Sequence, residues 1–185
     1  MKIDFASRMN RLKSESAFEV LSKAKALEAR GRNIIHLEIG QPNFATPANI
    51  CEAAFKAMKD GLTGYTQAAG LLEFREAIAE HIAKTRGVSV APEEVVVTPG
   101  AKPIIFFTLL ALIDAGDEVI YPNPGFPAYA STINLVGGKP VSLPLLEEVN
   151  FRFKMEDLEG AISPKTKLLI LNSPQNPTVG FLTRI

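Results

Sequence analysis

The chain has 185 residues, with 20 basic and 20 acidic side chains and a formal charge of zero, which excludes the basic excess of a nucleic-acid footprint. Its length suits one domain of ordinary size with a core of its own. The single cysteine, Cys51, excludes an intramolecular disulfide and points to a reducing cytoplasm, and the charged start, Met1-Lys2-Ile3-Asp4-Phe5, lacks an apolar signal core.

The pattern predicts a first helix from about Ser14 to Ala29, with Gly31 as its stop signal. Asn33 to Glu38 reads as a short strand running into Gly40-Gln41-Pro42. A second helix is expected to open at Thr46-Pro47, with Thr46 as N-cap and proline at the first helical position, and to end near Asp60-Gly61. Gly64 to Gly70 is a loop, followed by a helix from Leu71 to about Thr85.

From Glu94 the rhythm becomes strand, turn, helix, repeated. Val95-Val96-Val97-Thr98 reads as a β-branched strand. A turn, Pro99 to Pro103, leads into the apolar helix Ile104–Ile113, with Pro103 at its first position. Strands are expected at Glu118–Tyr121, Pro140–Leu143 and Lys167–Leu171. Helices are expected from Phe126 to about Leu135, closed by Gly137-Gly138, and from Met155 to Ile162. Such alternation implies an α/β fold, a mostly parallel sheet with helices on both faces and right-handed crossovers. The helix 104–113 is apolar on every side, so it is expected to be buried all round, covered by residues beyond Ile185, by a second subunit, or by both. Its apolar run is too short to span a bilayer, which leaves no membrane partner.

Four segments carry candidate chemistry, each with a plainer reading beside it. Thr98-Pro99-Gly100-Ala101-Lys102-Pro103 joins a strand to a helix. Small residues there let the amides of Ala101 and Lys102 approach a phosphate at a helix N-terminus; otherwise it is an ordinary tight turn. Tyr121 to Tyr129 follows the next strand at the same sheet edge, with room for a cis bond before Pro124. Phe126 either stacks on a planar ring or is a core aromatic. Asn172-Ser173-Pro174-Gln175-Asn176-Pro177-Thr178 follows the last strand. Asn176 either donates to a ring oxygen or serves the turn's backbone. Tyr65, in a loop between glycines, is a surface residue or one whose hydroxyl reaches a phosphate.

Other chemistries find no support. His36 and His81 are far apart, no His/Cys cluster has metal spacing, and there is no Gly-x-Ser-x-Gly turn or Walker loop. Glycine-rich dinucleotide spacing is absent after residues 95–98, which disfavours a nicotinamide enzyme.

Taken together these segments resemble the class I pyridoxal-phosphate aminotransferases, the aspartate aminotransferase family of fold type I. The resemblance runs through Gly40-Gln41-Pro42-Asn43-Phe44-Ala45-Thr46-Pro47, Gly64-Tyr65-Thr66, Leu72 to Ile78, the turn at 98–103, Gly116-Asp117-Glu118-Val119, the proline-rich segment 122–129 and Asn172–Thr178. It implies an N-terminal segment, 1–45, that contributes to a small domain. It also implies an incomplete large domain, 46–185, that binds pyridoxal 5'-phosphate. Amides around Gly100, Ala101 and Lys102 would hold the cofactor phosphate, Phe126 would stack on the pyridine ring and Asn176 would bond its phenolic oxygen. Gly40 would lie against the substrate α-carboxylate, and Tyr65 would reach the phosphate of a neighbouring subunit, implying a homodimer with shared sites. Tyr129 would at most stand behind the residues that touch the cofactor. The implied reaction moves an amino group between an amino acid and a 2-oxo acid.

Two departures qualify what the resemblance implies. The Schiff-base lysine, the aspartate facing the pyridine nitrogen and the main carboxylate-binding arginine are expected downstream of the asparagine turn, and none is placed in these residues. No catalytic residue is therefore assigned and the isolated chain is expected not to transaminate. It is a truncated product or fragment, half of a split enzyme, or a protein with a new binding role as a non-catalytic interaction module. The family turn reads Asn-Pro-Thr-Gly, whereas Val179 stands here at the glycine position with Gly180 after it. A β-branched residue is strained there if that position needs positive φ.

Overall fold

The computed structural model describes residues 4–12 and 16–182. The first helix is α1 (Ser16–Glu28); its expected start at Ser14 lies outside the described residues. Two further helices, α2 (Ala48–Lys59) and α3 (Leu72–Arg86), precede α4 (Ala101–Leu112). The alternating part then runs β1 (Glu118–Asn123), α5 (Ala128–Val136), β2 (Lys139–Pro144), α6 (Met155–Ala161) and β3 (Thr166–Leu169). The chain forms two compact units: residues 24–100, and residues 101–185 together with the first 23.

In the unit built on residues 101–185, the three strands make one sheet in the order β2-β1-β3, and β1 pairs in parallel with both neighbours. A central strand between two parallel neighbours is buried on both faces. Val119 and Ile120, which point to opposite faces, are both fully buried. One face of the core joins Leu109 and Ile113 of the α4 end to Val119 and to Ile133 of α5. Ile105, Leu109 and Ile113 fall four residues apart, so they line one side of a helix.

The opposite end of the sheet is tied by polar groups. Glu118 accepts from Lys139 Nζ at 2.8 Å and from Ser163 Oγ at 2.6 Å. Three chain segments therefore converge on one carboxylate at the strand starts. The Lys139 ammonium first, and the Ser163 hydroxyl second, hold Glu118 below the usual carboxylate range.

In the unit 24–100, helices α2 and α3 are joined by a loop that ends at Gly70, whose φ is +102°. A Cβ at Gly70 would lie 2.9 Å from that of Val97, so the loop packs closely only because the position is glycine. Arg75 on α3 is buried and donates to Pro92 C=O at 3.1 Å and to Gln67 Oε1 at 2.8 Å.

Several sequence expectations are corrected here. Residues 33–38 and 95–98 form no strand, and their unit contains no strand among the described residues to pair with. Val97 N–H instead bonds Ala69 C=O at 2.9 Å. Pro47, not Thr46, occupies the N-cap of α2, and no side-chain cap is made there. Helix α4 opens at Ala101, so Pro103 is its third residue. That position is tolerated because first-turn N–H groups lack intrahelical acceptors in any case. Phe126 precedes α5 instead of opening it. The apolar helix is expected to take its remaining cover from outside these residues, and within them Ile104, Phe107 and Leu110 stay at least half exposed, since the sheet and α5 cover one side only.

Candidate functional site

The adjacency of β1 and β3 decides the site. Both strands are parallel, so the segments leaving their C-terminal ends emerge side by side at the crevice edge of the sheet. The segment after β1 carries a cis Asn123-Pro124 bond, for which the sequence left room; further cis bonds precede Pro174 and Pro177 in the segment after β3.

Gln175 joins the two segments. It is 5% exposed, and its Nε2 donates to Pro124 C=O at 2.9 Å and to Asn176 C=O at 3.1 Å. Gly125 is required by the segment's own path: a Cβ there would fall 2.1 Å from the Pro122 carbonyl oxygen, while its 3.6 Å from Gln175 Nε2 would be ordinary contact. Sequence reasoning missed Gln175. Its signal was a glutamine between two prolines, at 174 and 177, in a turn where side chains usually face water.

Phe126 is half-buried and is braced edge-on by Tyr129, with ring centroids 5.8 Å apart at 84°. Tyr129 is itself buried, and loss of water around its hydroxyl raises it above the ordinary phenol value, so it stays protonated. The edge contact fixes the tilt of Phe126.

Lys102, the second residue of α4, brings positive charge to this ring. Its Nζ lies 5.7 Å from the Phe126 centroid and 5.5 Å from that of Phe18, within cation–π range. The first-turn amides of α4 add the partial positive charge of a helix N-terminus. Just before them, Gly100 has φ of +93° and accepts from Thr98 Oγ1 at 2.7 Å. A side chain at that φ is strained, which explains the glycine.

The structure thus brings Lys102 and Phe126 together, with Ala101 beside Lys102 at the helix start. Asn176 is exposed in the turn that Gln175 anchors to the Phe126 segment. Gly40 and Tyr65 belong to the unit 24–100; both are exposed there, and Tyr65 is fully open to solvent. Among the described residues no group of His, Cys, Asp and Glu is arranged to hold a metal.

Val179 takes the positive φ itself, at +61°. A β-branched side chain therefore bears the strain of a positive φ. Gln175 C=O accepts from Val179 N–H at 2.8 Å, and Gly180 C=O accepts from Gln175 N–H at 2.7 Å, so the turn closes on itself. Gly180 cannot be exchanged for the strained residue, because a Cβ there would meet two carbonyl oxygens at 2.9 Å.

A cationic helix start, a braced aromatic ring and an anchored asparagine turn at one sheet edge match a known family. The profile described as aminotransferase class I and II matches residues 32–184. The chain belongs to this family. It is 41% identical over 173 residues to the aspartate aminotransferase of Geobacillus stearothermophilus, covering 94% of this chain and 44% of that one. It is 41% identical over 174 residues to the aspartate/prephenate aminotransferase of Cereibacter sphaeroides, again 94% of this chain and 44% of the relative. The alanine aminotransferase of Pyrococcus furiosus superposes with a TM-score of 0.90 at 32% identity, covering 95% of this chain and 45% of that structure. The chain therefore spans somewhat under half the length of these aminotransferases. Among the described residues no helix is long and apolar enough to cross a membrane.

Proposed function

We propose that this chain carries the phosphate-holding and ring-stacking part of a pyridoxal-phosphate aminotransferase acting on an α-amino acid and a 2-oxo acid. One observation carries the reading: Lys102 stands over the half-buried face of Phe126 at the opening of α4, in a chain of this family. The residues fit the group. The helix start and Lys102 supply the positive field that a phosphate needs, and Phe126, held by Tyr129, supplies a flat apolar face.

When bound, the cofactor's protonated ring supplies an electron sink for the carbanion next to the substrate nitrogen. The residues of this chain orient and bind. The amides of Ala101 and Lys102, with the peptide at Gly100, hold the phosphate. Phe126 fixes the plane of the ring, and Asn176 donates to the ring oxygen. Gly40 lies against the substrate α-carboxylate, and Tyr65 reaches the phosphate of a second subunit in a cytoplasmic homodimer. Residues 1–45 contribute to a small domain and 46–185 to the large one. The lean is toward dicarboxylic substrates, since relatives at 41% identity are named for aspartate.

Titrating the purified chain with pyridoxal phosphate, and reading cofactor fluorescence and thermal shift, tests this. Binding is expected to exceed that of inorganic phosphate, and Phe126→Ala is expected to weaken it by about five- to tenfold, the loss of one stacked ring at about 1–1.5 kcal/mol. Equal affinity for plain phosphate, or an unchanged Phe126→Ala variant, would sink the ring-stacking reading. None of these 185 residues is assigned as the Schiff-base lysine, so turnover by the chain alone is not expected.

A second reading, an interaction module, draws on the half-exposed Ile104, Phe107 and Leu110 of α4. Cofactor titration followed by light scattering separates the two: cofactor binding favours the first, and association through α4 without cofactor binding favours the second.

A further inference from the structure

His36 lies apart from the residues discussed above, in the segment between α1 and α2. Its Nδ1 is 2.6 Å from Glu38 Oε1, and its Nε2 is 2.8 Å from Glu28 Oε1. An ionised carboxylate only accepts hydrogen bonds, so the ring must donate both. A neutral imidazole carries one N–H and donates one. Two donated bonds require the imidazolium.

The two carboxylates sit on different parts of the chain. Glu28 is the last residue of α1, ahead of the Gly31 stop, and Glu38 lies two residues before Gly40. Between them the backbone is in no helix or strand. Ile35 and Leu37 are more than 80% exposed, so apolar packing contributes little to holding this segment. Among the described residues, the charged groups that meet the ring are Glu28 from α1 and Glu38 from its own segment.

We propose that His36 is a proton-operated clasp: protonated, it pins residues 33–40 to the end of α1; deprotonated, it keeps one of its two links and releases the segment. The field of the site agrees with this. Glu38 first, and Glu28 second, raise the imidazole above its ordinary 6.5, and the ring lowers Glu38 in return. The sign follows from linkage: the clasp is fully present below pH 6.5 and is lost as pH rises through the higher folded value. The clasp is a property of residues 28–38. Only its consequence for substrate binding, a more mobile Gly40 at higher pH, rests on the functional reading above.

The test is an NMR titration of His36 in the labelled chain and in Glu28→Gln, Glu38→Gln and the double variant. Amide exchange of residues 34–38 is measured over the same pH range and corrected for intrinsic rates. The His36 midpoint is expected to fall in each single variant and furthest in the double one. Protection of residues 34–38 is expected to drop across the wild-type midpoint, and His36→Gln is expected to abolish that step. A midpoint equal in wild type and double variant would overturn the clasp. So would protection that stays flat across the wild-type midpoint, a result that needs no variant to fold.

Discussion

Replacing Val179 with glycine should stabilise the chain. Val179 holds φ at +61°, where the Cβ of an L-residue crowds the backbone at a cost of about 1–2 kcal/mol. Its side chain is 73% exposed, so little burial is lost on removing it. Glycine relieves the crowding but brings about 0.5–1 kcal/mol of extra unfolded-chain entropy. The balance is a gain of roughly 0.5–1 kcal/mol, or about 1–4 °C in Tm for a chain of this size. Both turn bonds, Val179 N–H to Gln175 C=O and Gln175 N–H to Gly180 C=O, are backbone bonds and survive the change. Thermal denaturation by circular dichroism, with Val179→Ala beside it, is the assay. Alanine keeps the Cβ, so it should recover only the part of the strain due to β-branching. A Val179→Gly variant that melts at or below the parent temperature would refute the strain argument.

Other outcomes follow from the same contacts. Gly125→Ala places a Cβ 2.1 Å from Pro122 C=O, so the segment after β1 must move; a lower Tm together with weaker cofactor binding is expected in melts and titrations. Leu109→Ala empties the centre of the α4–α5–sheet cluster, where Leu109 is 1% exposed, and should cost about 2–5 kcal/mol in chemical denaturation. Glu118 is held below its ordinary 4.5 by Lys139 and Ser163, so its contribution is present above that pH and fades as pH falls through the lower folded value. Acid melts of Glu118→Gln should show a shallower loss of stability than the parent below pH 4.5, and parallel curves would refute the clamp.

The alternation of apolar strands and helices after Glu94 made the parallel α/β architecture legible from sequence, because each element's period is a local property of its residues. Gly31 and Gly137, read as stop signals, follow helix ends with positive φ, and Gly137 caps its helix in the left-handed conformation. The turns at 98–103 and 172–178 were also readable as turns, since sharp turns need particular residue types. The suspected strain at Val179 was legible too, because only a β-branched residue in a glycine position raises the question.

Pairing was not legible. Residues 33–38 and 95–98 have strand-like composition yet form no ladder, because a strand exists only where a neighbour supplies hydrogen-bond partners. Nor did sequence show which loops meet. That β1 and β3 lie side by side, bringing Gln175 to Pro124 across 51 residues and the Phe126 segment beside the asparagine turn, follows from strand order alone. The same holds for Glu118 gathering Lys139 and Ser163, and for His36 standing between two carboxylates. Local sequence determined where the chain turns and which stretches alternate; only the packed chain decided which residues touch, because contact between distant residues is a property of the fold and not of any segment in it.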